Sequence, residues 1–278
     1  MNERMNIRRM QVPEQKKEQV RPFDPLKEIT QGEWQKMRDE LAIMREERDS
    51  QEYAQLGANM KILNPEEGFT IGRSTWAWEP LWNDLAHSKE EEMWEGFVQT
   101  AALMKIIDPS FSFPLSEKDK EDISQLWQTK RDIYKLHELA RANIFYPEGR
   151  RRWDRSEWEY YASIITNRQV DSSNWTFAQF ASNLRLACPE YDLPLTGSDW
   201  VAMRGDLDSS RAALKQDPND DPDYDQIFKN NFVNMAVYMT ILAADRIEIT
   251  DEGLQLINSP ESKNLQTKVG AIPDSLQL

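Results

Sequence analysis

The chain has 278 residues, is 39 % hydrophobic and 29 % charged, and carries a net charge of −14. Ten tryptophans and that apolar content exclude a wholly disordered chain and provide for a large buried core. The negative charge excludes nucleic acid and anionic membrane surfaces as default partners.

Only ten glycines are present and β-branched runs are sparse, which points to an all-α class. The longest apolar run, residues 235–244, is about half of what a bilayer span requires. One cysteine, Cys188, makes no internal disulfide and reads as a buried small hydrophobe. A cytoplasmic location is expected, because the N-terminus lacks the apolar core of a secretory signal.

Residues 1–29 hold seven Lys/Arg against five Asp/Glu, with prolines at 13, 22 and 25. That composition predicts a disordered tail.

From residue 30 the chain repeats itself. Residues 58–65 read "ANMKILNP" and residues 102–109 read "ALMKIIDP". Trp34, Trp78 and Trp158 each stand 31 residues before Pro65, Pro109 and Pro189, and Trp200 opens a further copy. Each tryptophan is followed at +3 and +7 by apolar residues: Met37/Leu41, Leu81/Leu85, Tyr161/Ile165 and Met203/Leu207. That is one stripe of a 3.6-residue helix.

Four residues before the tryptophan stands a capping side chain: Thr30, Ser74, Asp154 or Thr196. An acid follows it three residues on in Glu33, Glu157 and Asp199, completing a capping box. Ile29, Trp153 and Leu195 precede the caps as hydrophobic staples, and Arg73 is the misfit.

A second helix follows in the same register. It carries an aromatic (Tyr53, Phe97, Phe177), then a small residue (Gly57, Ala101, Ala181), then the apolar pairs before the proline that ends it. A unit capped by Ser116 with Asp119 lacks the tryptophan and ends at Pro147. The unit from Thr196 carries about thirteen extra residues between its helices, and a last start is predicted at Thr250 with Leu254 in the tryptophan slot.

Five two-helix units and a closing half-unit, starting near 30, 74, 116, 154, 196 and 250, predict an α-solenoid over residues 30–258. Residues 259–278 read as a second tail.

This W-x2-[LM]-x3-L pattern with its "MKIL-x-P" ending resembles uncharacterised tandem helical repeats in proteins of candidate-phylum bacteria, over roughly residues 30–257. The period of about 42 residues is also HEAT-like. The resemblance implies a helical-repeat fold and supplies no catalytic residue, activity or cofactor.

Candidate chemistry is sparse. Arg150, Arg151, Arg152 and Arg155 could grip an anion or an acidic partner, although Asp154 and Glu157 are interleaved with them. Asp217, Asn219, Asp221, Asp223 and Asp225 alternate like a calcium loop, but Pro222 and Phe228 stand where that loop needs Gly and Glu. A solvated acidic insertion is therefore expected there, with no metal. His87 and His137 have no metal-ligand spacing and read as surface residues. There is no nucleophile elbow, phosphate loop or dinucleotide fingerprint.

The expectation is a non-enzymatic scaffold or adaptor that binds protein or peptide, without cofactor, nucleic acid or membrane. The alternatives are an enzyme with carboxylates gathered in the hollow of the helices, and an RNA-reading repeat. Trp76, Trp82, Trp94 and Trp127, which lie outside the repeating slot, would mark an interface wherever one is exposed.

Overall fold

A computed structural model describes residues 23–66, 76–125, 136–149, 153–167, 174–214 and 222–258. Among these the chain is mostly helical. Outer helices α2 (Gln31–Glu47), α4 (Trp78–Glu90), α6 (Glu117–Gln125), α8 (Arg155–Thr166) and α10 (Gly197–Ala213) alternate with inner helices α3 (Ser50–Leu63), α5 (Trp94–Ile107), α7 (Leu136–Phe145), α9 (Asn174–Ala187) and α11 (Pro222–Ala243). A one-turn helix α1 (Pro25–Glu28) precedes them, and strands β1 (Arg246–Thr250) and β2 (Gly253–Ile257) follow.

The outer helices start where side chains cap them. Thr30, Asp154 and Thr196 each form a full capping box, with Glu33, Glu157 and Asp199. Ser116 and Asp119 exchange the same pair of bonds, Ser116 N–H to Asp119 Oδ2 at 2.7 Å and Asp119 N–H to Ser116 Oγ at 3.2 Å. The second unit departs from this pattern. Its helix begins at Trp78 with Ala77 as N-cap and no side-chain bond, and Ser74 lies outside the described residues. With Ala77 where a box needs an acid, nothing draws the start upstream. The stripe behind the caps is buried throughout: Trp34, Trp78 and Trp158 with Met37, Leu41, Leu81, Leu85, Tyr161, Ile165, Met203 and Leu207. Trp200 is only partly buried.

The inner helices pack in sequence, α3 on α5, α5 on α7, α7 on α9 and α9 on α11. The array then closes, because α11 packs back on α3. Asn59 Nδ2 donates to Asn234 Oδ1 at 2.9 Å across that seam, and Lys36 Nζ donates to the Leu214 carbonyl at 2.7 Å. Arg211 Nε bonds Glu33 Oε1 at 2.7 Å, Arg211 Nη2 bonds the Glu28 carbonyl at 3.0 Å, and Arg204 forks onto the Glu28 carboxylate. The five units thus form a closed ring where a solenoid would stay open, and the first and last units shield each other as interior neighbours do.

Two further expectations are corrected. Residues 23–29 belong to the fold: Phe23 and Ile29 are buried, Asp24 caps α1 with Pro25 at its first turn, and Glu28 joins the ring seam. Only residues 1–22 of the expected tail lie outside the described residues. The closing half-unit at Thr250 is a β-hairpin. Ile247 and Ile249 alternate with Glu248, Leu254 and Leu256 with Gln255, and the pairing runs from Arg246↔Ile257 to Thr250↔Gly253. A period of two overrides a lone capping threonine. Gly253 sits at φ +103°, the left-handed position such a turn requires, and a Cβ there would lie 3.2 Å from Pro109 Cβ.

Candidate functional site

The repeated ending of the inner helices has a definite job. Lys105 and Arg185 each stand four residues before the proline and are buried. Lys105 Nζ donates to the Phe111 carbonyl at 3.2 Å, and Arg185 Nη1 to the Tyr191 carbonyl at 2.9 Å, each carbonyl two residues past the proline. The rings of those same residues pack on the tryptophan of their unit: Phe111 edge-on to Trp78 at 5.6 Å and Tyr191 stacked on Trp158 at 5.0 Å.

The same position also ties neighbours together. Asn143 Nδ2 donates to the carbonyls of Leu186 and Ala187 at the end of α9. Arg185 Nη2 donates to Ala244 and Asp245 at the end of α11, and Lys105 Nζ to Asp251 in the hairpin turn. Orphan carbonyls at helix ends are thereby satisfied by the adjacent unit. All the inner helices therefore end on one rim, where the hairpin lies.

Inside the ring a polar stripe faces the axis. Ten and six residues before each proline (Ala244 in the last unit) stand Gln55/Asn59, Gln99/Leu103, His137/Arg141, Gln179/Asn183 and Asn234/Tyr238. All but Asn59 and Leu103 keep solvent access, on helices whose other faces are largely buried against neighbours. Gln55 Nε2 donates to Asn59 Oδ1 at 3.2 Å within α3, and cross-links run between helices from Asn59 to Asn234 and from Arg141 Nη1 to Gln99 Oε1 at 3.1 Å. Tyr238 and Gln179 share a side-chain hydrogen bond. Burial lowers the Arg141 guanidinium from its ordinary pKa, opposed by Tyr238 and Glu138. Burial also pushes the Tyr238 phenol up to about 12, with Arg141 pulling it back, so at neutral pH it is a neutral donor. Five helices about 9 Å apart place each axis about 8 Å from the centre. At that distance, helices about 10 Å across leave no room on the axis for a further helix.

The candidates that the sequence suggested fall elsewhere. Arg150, Arg151 and Arg152 lie outside the described residues, and Arg155 is exposed on α8, paired with Glu159 at 2.8 Å. Asp217, Asn219 and Asp221 also lie outside them. At Asp223 and Asp225 the backbone is already helix α11, whereas a calcium loop needs open chain there. Among the described residues no group of three acidic, His or Cys side chains is placed to hold a metal. His87 is exposed on α4, while His137 is half-buried on the inner ring, its Nε2 3.7 Å from Glu138 Oε1.

Pro65, Pro109 and Pro189 each follow the end of an inner helix, and Pro147 opens a 3-10 turn after α7. Cys188 is free and buried. Of the tryptophans outside the slot, Trp76 and Trp94 are partly buried against the core, Trp82 is exposed, and Trp127 lies outside the described residues. The axis stripe is invisible to apolar periodicity; the amides Gln55, Gln99 and Gln179 at one shared register are its signal in the sequence. No helix among the described residues is long and apolar enough to cross a membrane.

Compared with protein-family models, with curated proteins and with solved structures, the chain matches none of them.

Proposed function

We propose that the chain is a non-enzymatic helical-repeat adaptor that binds a protein or peptide on the outside of its ring. The observation that carries this reading is Trp82. One side of its ring packs on Phe113 at 4.7 Å and edge-on to Phe111 at 6.3 Å, yet the residue remains 36 % exposed. Large exposed apolar side chains of this kind anchor interfaces. Ile43 on α2, Tyr160 on α8 and Val201 on α10, all on outer helices, are exposed too, as is Met93 in the turn between α4 and α5.

Ring closure directs a macromolecular partner to the outside or the rims, since the lumen is too narrow for one. The competing enzyme reading needs converging carboxylates, and none of the ten axis-facing positions is Asp or Glu.

Affinity capture with the wild-type chain and with Trp82→Ser and Val201→Lys tests the proposal. A protein held by the wild type and lost from a variant of unchanged circular dichroism supports it. No co-purifying protein, or the same set on every variant, contradicts it.

A further inference from the structure

Arg141 places a cation inside the ring with a neutral amide, Gln99 Oε1 at 3.1 Å, as its hydrogen-bond partner. Among the described residues no carboxylate lies within ion-pair distance of it, and Glu138, three residues earlier on α7, acts on it at longer range. A partly desolvated charge without a counter-ion is costly, and burial already disfavours this guanidinium.

The groups around it are neutral and polar: Gln99 accepts from Arg141 through Oε1, and Tyr238 and Gln179 are hydrogen-bonded to each other. Gln99 comes from the preceding inner helix and Gln179 from the following one, while Tyr238 interacts with Arg141 from α11, two helices away around the ring. Leu103 and Ile106 continue the stripe on α5 as an apolar wall towards the hairpin rim.

We propose that the lumen binds a small oxyanion, a carboxylate or phosphate group, gripped by the Arg141 guanidinium with the Gln99 and Gln179 amides beside it and the Tyr238 hydroxyl opposite. A guanidinium fork matches two oxygens of such a group, and a neutral phenol adds a third donor. The lumen's width limits the ligand to a small molecule or to one thin end of a larger one. The acidic exterior does not steer anions inward, so affinity has to come from the donors within. Lumen binding and outer-surface binding are independent properties, and the failure of one leaves the other standing.

Isothermal titration of the full chain with sodium phosphate and with sodium acetate, each against sodium chloride at matched ionic strength and pH 7, tests the proposal. The expected result is one equivalent of at least one probe bound by the wild type. Binding should be about tenfold or more weaker in Arg141→Gln and a few-fold weaker in Tyr238→Phe, with Arg141→Lys between them. Phosphate bound over acetate assigns a phosphate ester, and the reverse a carboxylate. The proposal is overturned if the wild type gives no heat beyond chloride, or if it and the variants bind equally. Should Arg141→Gln fail to fold, Tyr238→Phe and Arg141→Lys carry the same comparison, because each keeps most of the side chain it replaces.

Discussion

Arg185 carries a polar logic of the repeat that its apolar pattern does not display. Its guanidinium is buried among the carbonyls of Tyr191, Ala244 and Asp245, with bonds of 2.9 to 3.3 Å. Replacing it by methionine keeps the packing but strands those acceptors. Arg185→Met is therefore expected to lose roughly 3 kcal/mol by urea denaturation, against no measurable loss for the exposed Arg155→Ala. Asp119 gives a pH signature. Burial raises its pKa, but the Lys89 ion pair at 2.9 Å and the Ser116 bonds outweigh it, so the net shift is downward. A carboxylate depressed in the folded state stabilises above its unfolded pKa and loses that contribution as pH falls through the folded value. The melting temperature of Asp119→Asn should accordingly lie below the wild type near pH 7, with the gap closing below about pH 4. A gap that is constant with pH would show that the ion pair is not what matters.

The helix pairs are legible element by element, because capping boxes and a 3.6-residue stripe are local signals. Thr30 with Glu33 and Asp154 with Glu157 form the bonds their spacing implies. Two of the departures from expectation lie near the C-terminal end of the helical array. At 246–257, strand alternation competes with a single capping threonine, and the alternation decides. At 215–227, part of the acidic insertion extends α11 back to Pro222, whose fixed φ suits the first turn of a helix. The hairpin is tied to the ring through Gly253 against Pro109 and Lys105 on the Asp251 carbonyl. Gly253→Ala meets both a left-handed φ and a tight contact, so it should destabilise by about 1–2 kcal/mol in thermal melts. Neutrality of that substitution would mean the hairpin is not fixed to the rim.

For the whole molecule, closure is not readable from the sequence, since it depends on the accumulated tilt between units and not on any one motif. The bonds that seal it join residues about 180 positions apart, such as Arg211 to Glu33 and to the Glu28 carbonyl. The candidate site is hidden for the same reason: His137, Arg141 and Tyr238 share a stripe only once five helices surround one axis. Closure also changes what the N-terminal segment is for. Removing residues 1–29 takes out buried Phe23 and Ile29 with the Glu28 latch, and should lower stability by at least about 3 kcal/mol in denaturant titration. A disordered appendage would cost nothing.

The most direct measurement is a pulsed electron–electron distance between nitroxides at Gln35 on α2 and Ala212 on α10, in a Cys188→Ala background. Neighbouring helices about 8–10 Å apart, allowing for two label tethers, put the expected peak below about 30 Å. A peak beyond about 40 Å, as four unit spacings of an extended array would give, would contradict the ring.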